Sequence, residues 1–346
     1  MVSSIPRITI LMPVYNCEAF IAATLESLLQ QTFSDFELLV IDDASTDATV
    51  SIIEGFDDSR IHLIVKPENT GYTHSLNRGL TMAKGDYIAR MDADDIALPE
   101  RLAQQVTFMD AHPEVVACGT AYQIMDTSQV VTFPTTHEAI RLRLLEQTCF
   151  AHPTVMLRTS VLRAHGLQYV VAKEPAEDYD LWIALSRVGQ LANLDTVLLY
   201  YRVHDAQVSN TRRARQLASK VDSRILILSD LLPTVKATYG VLLTKVFTGA
   251  FLSYAEVDRF RTLVALLLER NVALCAFEAD GLCDYLKRLE HKQVKQLLLR
   301  PKRFGLKHLM YYWRCHFDGV VSLGFKTSII VSVKSLIGYR PKKVVL

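Results

Sequence analysis

The chain has 346 residues, of which half are hydrophobic and 22% are charged, a balance typical of folded globular proteins that excludes a disordered chain. Its formal net charge is only +1, but the charge is distributed unevenly. Residues 281–346 contain 14 Lys and Arg against 3 Asp and Glu, whereas residues 1–280 contain 24 against 34. A basic end on an acidic body predicts an anionic partner for that end, either a membrane surface or a nucleic acid.

The cysteines and the apolar segments restrict the compartment. Six cysteines are scattered along the chain without a C-x-x-C pair, which predicts a reduced protein with neither a disulfide framework nor a zinc site. The N-terminus lacks the basic region and cleavage site of a signal peptide. No uncharged apolar run reaches the roughly 18 residues that a spanning helix needs. We therefore expect a cytoplasmic protein, soluble or peripheral at the inner face of the cell membrane.

The first 118 residues alternate between two hydrophobic patterns. Short apolar runs predict buried strands at 8–15, 36–45, 61–66 and 86–91. Between and after them, amphipathic segments predict helices at 18–31, 46–56, 73–85 and 98–113. This alternation predicts right-handed βαβ units and a mostly parallel, Rossmann-like sheet with helices on its faces, which is an α/β fold.

The pattern changes after residue 115. Extended segments are predicted at 115–126, 129–133 and 152–158, and helices at 137–147 and 177–189. From residue 211 onward the strand signals end, and hydrophobic residues recur at helical spacing. We therefore predict one α/β domain at 1–210, with parts at 1–118 and 119–210, followed by a helical C-terminal region at 211–346.

Polar residues follow three of the predicted strands. Tyr15 ends the first, Asp43 follows the second, and a cluster at 92–95 follows the fourth. Ligands of parallel sheets bind at the carboxyl ends of the strands, so these groups should converge on one edge. Acids this close raise one another's pKa unless a cation lies between them. Mg²⁺ and Mn²⁺ prefer carboxylate and phosphate oxygens, so a divalent ion with a nucleoside diphosphate would explain the cluster.

The alternative is that these acids are solvated helix caps. A D-x-D triplet alone is weak evidence, and the chain has a second one at 178–180. In the ligand interpretation, Tyr15 offers a ring for stacking, Asp43 can accept from a base N–H, and a carboxylate of the pair Glu177–Asp178 can act as a general base. G-x-G-x-x-G, the P-loop motif and G-x-S-x-G are absent, which disfavours dinucleotide-binding proteins, P-loop NTPases and α/β-hydrolases.

Six segments agree in order and spacing with one enzyme family. They are "ITILMPVYN" (8–16), "QQTFSDFELLVIDDASTDAT" (30–49), "NTGYTHSLNRGLTMAKGDYIARMDADD" (69–95), "HPTVMLR" (152–158), "AEDYDLWIAL" (176–185) and "LLYYRVHDAQVS" (198–209). Together they resemble the family 2 glycosyltransferases of bacterial surface-polysaccharide type, over residues 6 to about 210. The resemblance implies the GT-A fold, with nucleotide binding in 1–118 and acceptor binding and catalysis in 119–210.

The resemblance also implies binding roles for matching positions. Pro13, Tyr15 and Asp43 match positions that hold the base and ribose of the nucleotide, usually UDP. Asp94 matches the closer metal ligand of the D-x-D motif, and Asp92 matches a position near the ribose that also supports the metal. The implied cofactor is Mn²⁺ or Mg²⁺.

Asp178 matches the catalytic base of inverting members, so the second D-x-D triplet is not expected to be a metal site. His204 matches a position that helps some members to hold the metal or diphosphate, although a histidine that ends a strand can equally be structural. Arg202 and Glu177 are weaker candidates for contact with the diphosphate or for support. Asp95 is expected only to cap the turn that follows it.

The implied reaction is a single in-line displacement with inversion, in which Asp178 takes the proton of the acceptor hydroxyl. The Q-x-x-R-W motif of processive members is missing, which favours transfer of one sugar to a glycan or lipid-linked acceptor. A sugar nucleotidyltransferase is one alternative, but it needs a glycine-rich basic loop where this chain has "PVYNCEAF" (13–20). An inactive nucleotide-sugar-binding scaffold is another, but it has no need for Asp178.

The C-terminal region lies outside the resemblance. Its helical spacing predicts a bundle, but residues 286–317 mix Lys and Arg with Leu, Tyr and Trp, as interfacial helices on anionic lipid do. Residues 281–346 are therefore a candidate for peripheral membrane contact. Nucleic acid is not expected as a partner, because no nucleic-acid-binding motif is present.

Overall fold

The computed structural model describes residues 5–204, 213–299, 304–317, 319 and 325–339. The chain forms two compact units, Met1–Arg224 and Ile225–Leu346. The predicted segment "LLYYRVHDAQVS" and the predicted basic end both extend in part beyond the described residues.

The first unit is built on one sheet, which has nine strands among the residues that the structure describes. The strands are β1 Ile8–Val14, β2 Phe36–Asp42, β3 Ile61–Val65, β4 Tyr87–Arg90, β5 Ile96–Ala97, β6 Val115–Ile124, β7 Val130–Val131, β8 Met156–Arg158 and β9 Gln190–Tyr201. Their order is β3-β2-β1-β4-β8-β6-β9-β5, with β7 beside β6.

The parallel half of the sheet confirms the predicted βαβ units. β1 pairs in parallel with both β2 and β4, and β2 pairs in parallel with β3. β1 and β2 are buried along their whole length, as their continuous apolar sequences require. Because β1, β2 and β4 run in the same direction, their carboxyl ends meet at one edge.

The other half of the sheet is mixed. β8 is antiparallel to both β4 and β6, whereas β6 and β9 are parallel to each other. The predicted strand 152–158 begins instead as a 3-10 turn at His152–Thr154, because Pro153 has no N–H to donate to a strand partner.

Helices flank the sheet, and their apolar residues face the core as the amphipathic sequence pattern predicts. In α1, for example, Ile21, Leu25 and Leu28 point into the core. The helices of this unit are α1 Ile21–Leu29, α2 Thr49–Glu54, α3 Tyr72–Met82, α4 Arg101–Ala111, α5 His137–Leu144, α6 Thr159–Ala164, α7 Glu177–Leu185 and α8 Arg213–Leu228, which continues across the boundary between the units.

The second unit is helical in every element that the structure describes, as the sequence predicts. Its helices are α9 Val235–Thr248, α10 Tyr254–Leu274, α11 Ala279–Leu299, α12 Leu306–Phe317 and α13 Phe325–Leu336. α10 begins with a capping box, in which the Ser253 hydroxyl and the Glu256 carboxylate each accept from the other's backbone N–H. Within the described part of the chain, every helix is too short or too polar to cross a bilayer.

Candidate active site

Tyr15 and Asp43 lie together at the edge where β1 and β2 end. Val14 stands opposite Asp42 in the register of the two strands, and the N–H of Asp43 donates to the carbonyl of Val14 at 2.9 Å. Pro13 is buried inside β1, so its part is to shape the strand end rather than to present a polar group. The Tyr15 ring is 46% exposed and therefore accessible to a ligand.

The carboxylate of Asp43 is buried and organises the start of α3. It pairs with the ammonium group of Lys66 and accepts from the N–H groups of Thr70 and Gly71 at 3.0 and 2.9 Å. Gly71 has φ 95°, a left-handed conformation that glycine adopts without strain. Among the residues that the structure describes, Oδ2 has a single protein donor, Gly71, and so keeps capacity for a donor from a ligand. Sequence reasoning missed Lys66.

Asp92, Asp94 and Asp95 form the predicted acidic cluster. One carboxylate oxygen from each lies within 4.8 Å of the other two. Asp92 and Asp94 are half-buried, and Asp95 is fully buried. Burial and the charge of Asp92 raise the pKa of Asp94, and burial followed by both neighbouring charges raises the pKa of Asp95 well above its ordinary value. Two accessible carboxylates, those of Asp92 and Asp94, under mutual repulsion with a buried third fit a divalent cation.

Asp95 does not cap the following turn, although the sequence predicted that it would. Its Oδ1 accepts from the backbone N–H of Arg202 at 2.8 Å, and its side chain is 0% exposed. The prediction was wrong because the partner, Arg202, lies 107 residues later in the chain, directly after the last residue of β9. Asp95 therefore fastens the end of β9 to the acidic cluster.

That attachment brings Arg202 and His204 to Asp94. His204 Nε2 lies 2.9 Å from Asp94 Oδ2, and Arg202 Nε donates to the Asp94 carbonyl at 2.8 Å. The ring of Phe20 packs against both, with centroid distances of 5.2 Å to the His204 ring and 4.7 Å to the Arg202 guanidinium carbon. His204 is thus placed either to orient Asp94 or to bind the same cation.

Arg90, which sequence reasoning missed, lies between the two acidic groups of the site. Its guanidinium pairs with the carboxylate of Asp92, and its side chain is 6% exposed. Its positive charge also lowers the pKa of Asp178, although burial is the larger effect and raises that pKa overall. An arginine at the end of the apolar segment "DYIARM" was the available signal, since a charge in a buried strand needs a partner.

Glu177 and Asp178 begin α7. Tyr72 donates to Glu177 Oε2 at 2.9 Å, and the backbone N–H of Tyr179 donates to Asp178 Oδ1 at 2.8 Å. Burial and the adjacent charge of Asp178 raise the pKa of Glu177 to about 7. Burial also raises the pKa of Asp178. A carboxylate whose pKa is raised is a stronger base than an exposed one, which suits a general base.

The two aspartates of the second D-x-D triplet, Asp178 and Asp180, lie in different environments. Asp180 is 8% exposed, accepts from the Ser223 hydroxyl of α8 and lies 3.5 Å from Lys173 Nζ. Lys173 also pairs with Asp222 at 2.8 Å. These contacts attach α8 to α7 and explain why the first compact unit extends beyond residue 210. In the part of the chain that the structure describes, the acidic cluster suited to a metal is the one at 92–95.

Comparisons with known proteins identify the family of this chain. Residues 9–166 match the family model "Glycosyl transferase family 2". An uncharacterized glycosyltransferase of Haemophilus influenzae is 30% identical over 86% of this chain and 96% of its own length. Escherichia coli WfaP, named UDP-Glc:alpha-D-GlcNAc-diphosphoundecaprenol beta-1,3-glucosyltransferase, is 33% identical over 58% of this chain and 79% of its own length.

A solved structure shows the same fold. The crystal structure of S. aureus TarS 1-349 in complex with UDP-GlcNAc superimposes with a TM-score of 0.56 at 18% identity, covering 83% of this chain and 90% of that chain. The mixed sheet with its flanking helices is the GT-A fold that the sequence predicted.

Proposed function

Since the chain belongs to glycosyl transferase family 2, whose relatives act in bacterial polysaccharide biosynthesis, we propose that it is an inverting, metal-dependent enzyme that transfers one sugar from a UDP-sugar to a hydroxyl group. The observation that carries the proposal is that two acidic groups in different environments both interact with Arg90, which pairs with Asp92 and lowers the pKa of Asp178. The cluster at 92–95 suits a cation and a diphosphate, and the pair Glu177–Asp178 suits proton transfer.

The nucleotide would bind where β1 and β2 end. Tyr15 offers its exposed ring to the base, and Pro13 shapes the strand end beneath it. Asp43 Oδ2 can accept from a base N–H, and the N3–H of uracil is such a donor at neutral pH. Asp92 would accept from the ribose hydroxyls, since Arg90 holds its carboxylate beside the cluster.

A divalent ion, Mn²⁺ or Mg²⁺, would be held by Asp94 and Asp92, with His204 beside them and Arg202 toward the diphosphate. When bound, the ion supplies positive charge for the leaving nucleoside diphosphate. The chain itself orients the side chains around the ion, because Asp95 and Phe20 fix the positions of Arg202 and His204.

Asp178 is the proposed general base. Its raised pKa makes it a stronger base than an ordinary carboxylate, and Glu177, held by Tyr72, supports it with a second negative charge when ionised. Asp178 would take the proton of the acceptor hydroxyl as its oxygen attacks the anomeric carbon on the face opposite the nucleoside diphosphate. The bond from the anomeric carbon to the diphosphate oxygen would break in the same step, and this single displacement would invert the configuration.

The proposed acceptor is a lipid-linked glycan of cell-surface polysaccharide assembly, such as O-antigen, capsule or exopolysaccharide. The name of WfaP, which specifies a diphosphoundecaprenol acceptor, supports this choice. Such an acceptor places the reaction in the cytoplasm, at the inner face of the cell membrane.

Asp178→Asn and Asp94→Asn test the two roles separately. Asp178→Asn should bind the UDP-sugar with Mn²⁺ as wild type does, by calorimetry, yet lose about 10²- to 10⁴-fold in the rate of transfer. Asp94→Asn should lose the Mn²⁺ dependence of UDP-sugar binding. Asp195→Asn, an exposed carboxylate on β9, is the matched control and should change neither quantity. Near wild-type transfer by Asp178→Asn would show that the base is another group.

A further inference from the structure

The outer face of α12 is apolar. Leu306, Met310, Trp313 and Phe317 are 66%, 73%, 40% and 80% exposed. At 3.6 residues per turn, their spacing places them within an arc of about 60°. The opposite face, formed by His308, Tyr311, Tyr312 and Cys315, is the one buried in the second unit. In an ordinary surface helix the apolar stripe faces the core and the polar face meets solvent. In α12 an apolar stripe faces solvent instead.

The next helix repeats this arrangement. Ile329, Val333 and Leu336 of α13 are 46%, 50% and 64% exposed and share one face, while Val331 and Ser335 on the other side are buried. The two helices are joined by a hydrogen bond from the Tyr312 hydroxyl to Ser328 Oγ at 2.6 Å. We call the seven exposed side chains of α12 and α13 the apolar stripes. Exposed apolar side chains repeated on two adjoining helices indicate a contact surface.

The stretch of sequence that contains the apolar stripes is strongly basic. Residues 300–346 contain ten Lys and Arg and a single acid, Asp318. On α12, Lys307 and Arg314 stand on one flank of the stripe, about 90° and about 70° from its centre, and Arg314 is paired with Asp258 at 2.6 Å. Lys307 lies over the ring of Tyr254, 5.4 Å from its centroid, which keeps this cation at the helix surface.

We infer that the apolar stripes of α12 and α13 dock on a bilayer that contains anionic lipid. Apolar side chains flanked by cations are what an interfacial helix presents to acyl chains and anionic headgroups, and Trp313 is of the residue type that prefers that boundary. The helices lie on the surface, since neither is long and apolar enough to span it. This inference is independent of the proposed transfer reaction, because the apolar stripes include no residue of the candidate active site.

The experiment uses the full chain and vesicles of phosphatidylcholine with or without phosphatidylglycerol. Trp182 is fully buried in the first unit, so a blue shift of tryptophan emission, and its quenching by brominated acyl chains, reports on Trp313. Wild type should float with the anionic vesicles, show both signals, and be released by high salt.

Met310→Glu with Phe317→Glu should weaken vesicle binding at least about tenfold, because two apolar side chains that enter the lipid become charged. The matched control is Val241→Glu with Val272→Glu, two side chains 79% and 82% exposed on α9 and α10, which should bind vesicles as wild type does. All four positions are exposed, so both variants should keep the melting temperature of wild type.

Equal flotation of the stripe variant and wild type would overturn the inference, as would equal loss in the control variant. If wild type ignores the vesicles but is a dimer that Met310→Glu with Phe317→Glu dissociates, a second copy of the chain covers the apolar stripes and the lipid proposal is wrong.

Discussion

Asp94 and Asp95 show how neighbouring residues of one type acquire different tasks. Asp94 is half-buried beside His204, where a cation can reach it, whereas Asp95 is fully buried and accepts from the backbone of Arg202. The sequence predicted an acidic cluster at 92–95 from its position after a strand, and the role of Asp94 as the closer metal ligand stays a proposal. The sequence could not predict the role of Asp95, because Arg202 follows a strand more than one hundred residues later in the chain.

The same limit applies to the cations of the site. Lys66 pairs with Asp43 and Arg90 pairs with Asp92, so each predicted acid came with a partner that the sequence analysis did not identify. The acids were recognisable because they end apolar strands. Which cation reaches each of them depends on side-chain geometry that spacing does not encode.

Glu177→Gln tests the raised pKa of the carboxyl group of Glu177 at the start of α7. The folded-state pKa of Glu177, about 7, lies above the ordinary 4.5, so the folded protein holds this proton more tightly than the unfolded chain does. Stability from this group is fullest below pH 4.5 and is lost as the pH rises through about 7. The melting temperature of Glu177→Gln should therefore rise relative to wild type, by roughly 5 °C, between about pH 5 and about pH 8.

Exposed Glu68→Gln is the control for that experiment and should keep a constant difference from wild type. A pH-independent difference for Glu177→Gln as well would mean that Glu177 is ionised throughout this interval.

At the level of secondary structure, the parallel half was predictable because its signals are local. Continuous apolar runs gave β1 and β2, and amphipathic spacing gave α1 and α4. The mixed half was not, because the order β4-β8-β6-β9-β5 depends on pairings between distant segments. β5 has two residues and is held by pairing with β9, so its own sequence carries no strand signal.

The junction between α3 and β4 gives a stability prediction for this sheet. A Cβ on Gly85 would lie 2.4 Å from the Thr9 nitrogen and 2.6 Å from the Ile8 carbonyl carbon, and β1 cannot retreat because it is paired on both sides. Gly85→Ala should therefore destabilise the protein by about 2 kcal/mol or more in denaturant unfolding.

Gly240→Ala in α9 is the matched control, because the nearest atom to its added Cβ, Lys236 Cγ, is 3.9 Å away. This substitution should stabilise the protein by about 0.5–1 kcal/mol. Equal effects of the two substitutions would contradict the close approach of β4 to β1.

On the scale of the whole molecule, the chain combines a family 2 catalytic unit with a helical unit of opposite charge character. The family was predictable from six segments because each lies at a strand end or helix start that the fold fixes. For the helical unit, the sequence showed only a basic composition and hydrophobic residues at helical spacing. The structure adds which side chains of α12 and α13 face solvent, and these side chains define the surface that we propose for membrane contact.

The measurement that tests the central proposal most directly is sugar transfer by the full chain to a lipid-linked GlcNAc-diphosphate acceptor, with UDP-, GDP- and dTDP-sugars and Mn²⁺. Nucleoside diphosphate release and the anomeric configuration of the product are read together. The account predicts acceptor-dependent UDP release from at least one UDP-sugar, its loss on chelation of the metal, and an inverted product. Retention of configuration would remove Asp178 as the base of a single displacement, and a lack of release from every donor would contradict the proposed reaction.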